Sequence, residues 1–226
     1  MPEVKERPIL FSAPMVRAIL EGRKTVTRRA LNTWALKNIG YGVRLGECNE
    51  LPTEGPLHPN SVDYYNDLCP FGQPGDRLWV RETCFINDYR ESSVPEGERA
   101  DCEIHYSADG IPDFEGEEEL IRWRPSIHMP RWASRILLEI TDVRVERLQD
   151  GDGKTAFESR YIAEGINRIH QGDGDYAFHP FKSEPGPGSW TDPFDAWREL
   201  WVGISGAESW NSNPWVWCVS FRRVEQ

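Results

Sequence analysis

Gly22-Arg23-Lys24-Thr25-Val26-Thr27-Arg28-Arg29 is the stretch on which the fold turns. Upstream, Ser12-Ala13-Pro14 opens a helix, with Ser12 or Ala13 at the cap and Pro14 in the first turn. Val16, Ile19 and Leu20 fall at i, i+3 and i+4 on one face, and Gly22 supplies the stop. Downstream, the β-branched Thr25, Val26 and Thr27 predict an extended segment. A regular strand would set Lys24 and Thr27 on opposite faces, but in a turn leading into a strand they can converge. Neighbouring cations drive Lys24 towards its neutral amine, which accepts a proton. Lys24 and Thr27 therefore read as a candidate base and nucleophile.

Working outward, the Pro-, Gly- and Asn-rich residues 38–76 read as a loop that ends in the turn Gly72-Gln73-Pro74-Gly75-Asp76 and feeds a strand, Arg77–Phe85. Short strands are expected at Glu103–Tyr106 and Leu120–Trp123. The clearest strand is Arg135–Leu148, where Ile136, Leu138 and Ile140 share one face while Val143 and Val145 have the opposite parity. A period of two does not tolerate that flip, which predicts a bulge or bend at Thr141-Asp142. Thr155–Glu164 is expected to be helical and stopped by Gly165, with Gly172–Pro193 a loop. Asp192-Pro193 caps a helix carrying Phe194, Trp197, Leu200 and Trp201, and a buried central strand, Trp215–Val224, closes the chain.

With 226 residues, 38% hydrophobic and 28% charged, the composition excludes a disordered or low-complexity chain. No apolar run approaches the roughly 20 residues of a membrane span, and the first residues lack the apolar core of an export signal. A cytoplasmic protein with no membrane partner is expected. The five cysteines contain no C-x-x-C pair and read as reduced thiols; no metal ligands fall at zinc spacing, so neither metal nor cofactor is predicted. Net charge is −11, but residues 86–121 hold twelve acids against two bases, and residues 7–29 hold six bases against one acid. A basic corner thus accompanies an acidic insertion, which could fold over the cleft as a lid or mimic nucleic acid.

The signature G-x-K-x-x-[E/T]-x-R, filled here by Gly22, Lys24, Thr27 and Arg29, resembles that of ASCH domains. A Gly75-Asp76 turn into a strand, a long central strand, a helix and an aromatic final strand follow in the family's order. The chain also resembles a longer phage- and prophage-associated group through Arg7–Ser12, Gly75–Glu82 and Trp123–Pro130. The resemblance implies an α+β, mainly β architecture. Its core would be a single PUA-like β-barrel over residues 1–226, with flanking helices and insertions at about 38–70, 86–119 and 168–190. Such domains are associated with RNA, and one branch resembles N4-acetylcytidine amidohydrolases that use a Lys, a Thr and a Glu. Lys24 and Thr27 match the first two, and Glu164, on the helix after the central strand, is the matching third.

Removing an acyl group from a cytosine amine needs a nucleophile, a base and a proton donor for the leaving nitrogen. Thr27 fits the nucleophile, Lys24 the base that takes its proton, and Glu164, with a pKa expected to be raised by burial, the donor to the leaving nitrogen. Candidate substrate-binding residues are Arg29, the strand neighbours Arg81 and Glu82, and Arg124 and His128 in the aromatic-cationic run Trp123–Trp132. A buried Glu82 would need Arg29 or another cation as partner. Three functions remain open: an amidohydrolase acting on a modified nucleoside, a non-catalytic module binding RNA or a modified base, and an RNA-cleaving enzyme using Lys24, His128 and Arg29. Oligomeric state is not predicted.

Overall fold

A computed structural model of the chain describes residues 3–111, 121–150 and 160–225. Nine strands and six α-helices are found among them. β1 (Glu6–Leu10), α1 (Ala13–Leu20), β2 (Val26–Ala30), α2 (Thr33–Leu45), α3 (Val62–Asp67), β3 (Arg77–Arg81), β4 (Cys84–Ile86) and β5 (Ile104–Tyr106) make up the N-terminal half. β6 (Leu137–Arg147), α4 (Arg160–Ala163), β7 (Asn167–Gly172), β8 (Asp175–His179), α5 (Pro193–Ser205), α6 (Ala207–Asn211) and β9 (Trp215–Val224) follow.

One five-stranded sheet, ordered β1-β3-β6-β9-β2, organises the rest, and β4-β5 and β7-β8 form two-stranded ribbons. β1 runs parallel to β3, and the other pairs in the sheet are antiparallel. The expected irregularity is present: the β6–β9 register shifts between Ile140 and Asp142. Beyond that point Val143 and Val145 join the same core cluster as Leu138 and Ile140, so the extra residue restores a parity the sequence breaks. β9 is central, as its aromatic alternation predicts. Trp217 and Val219 pack with Ile9, Val16 and Ile39, while Val216 packs on the opposite side with Tyr161 and Trp197.

Several expectations need correction. Strands hold about 27% of the described residues and helical turns about 34%, so the chain is α+β rather than mainly β. No closed barrel is found among the described residues, and β1 and β2 are the edges of the sheet. Those edges nevertheless approach one another, because the Arg29 guanidinium donates to the Leu10 carbonyl oxygen at 2.7 Å. Residues 38–76 are not a loop throughout. α2 is capped by the Asn32 side chain, which accepts from Ala35 N at 2.8 Å, and it buries Ala35, Ile39 and Gly42. Gly42 lies inside this helix with Tyr64 against it: a Cβ there would sit 2.5 Å from that ring. α3 follows in the same stretch.

The 168–190 insertion contains the β7–β8 hairpin, turned through Gly172, Asp173 and Gly174, all with positive φ. Arg77–Phe85 divides into β3 and β4. Leu120, residues 112–119 of the acidic insertion and Thr155–Ser159 of the predicted helix lie outside the described residues; 121–123 form no strand, and a single bridge joins Arg124 to Cys84. The described part of the acidic segment is tied to the core by Arg17, which donates to Ala108 O, and by Arg135, which pairs with Asp109. All five cysteines are free thiols. No helix among the described residues is long and apolar enough to cross a membrane.

Candidate active site

α1 ends at Leu20, and Gly22 adopts φ 75°, turning the chain so that Lys24 N donates to Ala18 O at 2.9 Å. Thr25 N then donates to Ala163 O at 2.9 Å, stitching the signature to the end of α4. Gly165 stops that helix as expected, at φ 100°, and leaves Glu164 in the turn facing Lys24. The turn is close: a Cβ on Gly165 would lie 3.0 Å from Ala18 Cβ and 3.4 Å from Lys24 Cβ. Arg23 clamps it further by donating to Gly165 O at 2.8 Å.

Lys24, Thr27 and Glu164 are all buried, with 2%, 3% and 4% of their surface exposed. Lys24 Nζ donates to Glu164 Oε2 at 2.9 Å, to Glu164 O at 2.7 Å and to Val26 O at 2.8 Å. None of those three bonds goes to Thr27. The second carboxylate oxygen of Glu164 accepts from Arg28 Nη1 at 2.8 Å, and Arg28 Nε donates to Glu146 at 2.6 Å. Arg160 reaches the same Glu146 oxygen at 2.5 Å.

Burial pushes Lys24 down towards its neutral amine, Glu164 opposes this, and Arg28 and Arg29 reinforce it. With three acceptors around Nζ, however, the ammonium is the form the resting geometry fits. The raised pKa expected of Glu164 is not found: burial alone would raise the carboxyl, but Lys24 and Arg28 outweigh it, and its pKa lies below the ordinary carboxylate range. Glu164 rests as a carboxylate with one cation on each oxygen.

A small cavity of about 70 Å³ lies between β2 and α5, lined by Thr27, Arg28, Arg29, Glu164, Trp197 and Trp201 among others. Ligand sites that engulf a drug-sized molecule run to roughly 300 Å³ or more. This cavity has room for a group of a few heavy atoms against an indole wall.

The remaining sequence candidates are elsewhere. Glu82, 1% exposed, pairs with Arg135, whose Nε and Nη2 donate to its two oxygens at 2.9 and 3.1 Å; the partner is Arg135 and not Arg29. Burial raises the Glu82 carboxyl, against the pull of Arg135. Arg81 donates to Ile127 O and stacks over Trp79, with its guanidinium carbon 5.3 Å from the ring centroid. Arg124 pairs with Glu91, and His128 ends an exposed helical turn. None of these four lines the cavity at Thr27.

Sequence reasoning missed Arg28, Glu146 and the indole wall. Arg144 and Glu146 alternate with the buried Val143 and Val145, which marks a charged face on β6, and Trp197 and Trp201 stand one helical turn apart. No group of three or more His, Cys, Asp or Glu side chains able to hold a metal occurs among the described residues. Comparison with protein-family models, with curated proteins and with solved structures finds no match to this chain.

Proposed function

We propose that this chain is an ASCH-like protein with a PUA-like core whose cleft at Thr27 acts on a modified nucleoside, removing an acyl group from N4-acylated cytidine. One observation carries the reading: Thr27 and Glu164, drawn from two distant parts of the chain, line one small cavity, and the buried Lys24 is hydrogen-bonded to Glu164 behind it. Burying an ionic cluster costs stability relative to apolar packing, and perturbed titrating groups concentrate at functional sites. The approach of β1 and β2 through Arg29 and Leu10 supports the barrel-like architecture.

In this mechanism Thr27 Oγ1 attacks the acyl carbonyl carbon and the bond to the cytosine amine breaks, leaving an acyl ester on Thr27. The proton shared between Lys24 and Glu164 is the one that moves. Passed to Glu164, it leaves Lys24 a neutral amine that takes the Thr27 proton, while Glu164 protonates the departing nitrogen. Water then hydrolyses the ester, releasing the carboxylic acid and restoring Thr27. Contacts of this kind tighten when substrate binds, so the absence of a Lys24–Thr27 bond in the free protein is compatible with the step.

The test is incubation of the purified protein with N4-acetylcytidine, following cytidine release by chromatography. Wild type is expected to turn over, and Thr27→Val to lose about three orders of magnitude. A second reading, a non-catalytic binder of a modified base, is favoured by Lys24 and Glu164 already spending their donors and acceptors on one another. Binding of N4-acetylcytidine without turnover would select it.

A further inference from the structure

Arg28 and Arg29 are adjacent on β2 but are neutralised very differently. Arg28 has two carboxylates, Glu146 and Glu164. Arg29 has none among the described residues: its Nη2 donates to the neutral Leu10 carbonyl, and its enclosed Nε has no partner. Its guanidinium carbon lies 5.4 Å from the centroid of the Phe11 ring, over which Lys24 Nζ also sits at 5.6 Å. Two cations thus flank one apolar ring.

The nearby carboxylates are engaged by other cations: Glu164 pairs with Lys24 and Arg28, and Glu146 with Arg28, Arg144 and Arg160. A half-buried guanidinium without a counter-ion is an unfavourable arrangement unless something anionic arrives to meet it. Burial accordingly lowers the pKa of Arg29, with Glu164 only partly compensating.

The position of this unmet charge is informative. Thr27 pairs with Val219 and Arg29 with Trp217, so the two are i and i+2 on β2 and share one face, about 7 Å apart along the strand. Arg28 lies over Trp197, and Thr27 and Arg29 both line the same cavity, so a ligand group at Thr27 is within reach of Arg29.

We infer that Arg29 anchors a phosphate group of the ligand, so that the site takes a nucleotide or an RNA phosphate rather than a bare nucleoside. The inference rests on the Thr27 cleft being the ligand site, not on hydrolysis there. A planar guanidinium is the side chain that matches a phosphate oxygen pair, and a phosphate supplies the charge that Arg29 lacks.

The test is titration calorimetry at fixed ionic strength with inorganic phosphate, acetate, cytidine and the 5′- and 3′-monophosphates of cytidine. At least one monophosphate is expected to bind ten-fold or more tightly than cytidine. Arg29→Gln should abolish that preference, and Arg29→Lys should restore part of it. Equal binding of cytidine and both monophosphates to the wild type overturns the inference without recourse to any variant. So does a preference that survives in Arg29→Gln. Acetate binding where phosphate does not would reassign the charge to a carboxylate and equally overturn it. Phosphate binding that depends on Arg29, with no affinity for any cytidine compound, would uphold the anchor and sink the nucleoside reading.

Discussion

Lys24 grips Glu164 at two points, its Nζ donating to the carboxylate at 2.9 Å and to the main-chain oxygen at 2.7 Å. The second bond matters as much as the first. Its acceptor is a main-chain carbonyl, whose hydrogen-bonding capacity does not depend on the protonation of the Glu164 side chain.

Removing one member of this buried pair leaves an uncompensated charge. Glu164→Gln and Lys24→Met are each expected to cost about 3 kcal/mol of unfolding free energy. The double variant should cost less than the sum of the two by at least about 1 kcal/mol, because neither remaining side chain is then stranded. Denaturant titration of the four proteins measures this; strict additivity would mean that the two groups are not coupled.

The acid limb of stability follows from the same carboxylate. The Glu164 pKa is lowered on folding, so its contribution is complete above the unfolded value of about 4.3 and is lost as pH falls through the folded value. Glu82 has the opposite sign: its raised pKa gives a contribution present below about 4.3 and lost as pH rises through the folded value. Unfolding free energy measured between about pH 3 and pH 7 should therefore fall less steeply with acid in Glu164→Gln than in wild type. Glu82→Gln should lack the loss with rising pH that Glu82 contributes.

Gly165 combines a φ of 100° with a Cβ position in contact with Ala18 and Lys24. Gly165→Ala is expected to destabilise by about 1–3 kcal/mol, since both the backbone conformation and the space resist the methyl group. It should also weaken activity at the Thr27 cleft, because the methyl presses on Ala18 and on the Lys24 side chain beside it. Thermal unfolding combined with the acetylcytidine assay checks both.

Thr27→Ser and Thr27→Val separate chemistry from packing at one position. Serine keeps the hydroxyl and should retain turnover within about ten-fold, whereas valine keeps the shape and should lose it. Both should unfold within about 1.5 kcal/mol of wild type. Equal activity in the two would remove Thr27 from the reaction.

The elements visible in the sequence are those with strong local signals. α1 and its glycine stop, the signature turn, the capped helix α5 and the aromatic strand β9 all declare themselves within a dozen residues. So does the bulge at Thr141, because two alternating apolar sets of opposite parity cannot share one face without it. The C-terminal part of α2 falls in the Gly-, Pro- and Asn-rich stretch that reads as loop; the packing of Gly42 against the Tyr64 ring is what no local pattern reveals.

The site divides along the same line. By its spacing alone the sequence put Lys24, Thr27 and Arg29 in one turn and strand, since residues two to five apart cannot separate. Only the tertiary structure decided that Glu164 meets Lys24 across 140 residues, that Glu82 belongs to Arg135, and that Arg28 has two carboxylates where Arg29 has none. Backbone periodicity is set by neighbours along the chain, whereas the partner of a buried charge is set by whichever segment packing brings within hydrogen-bond reach.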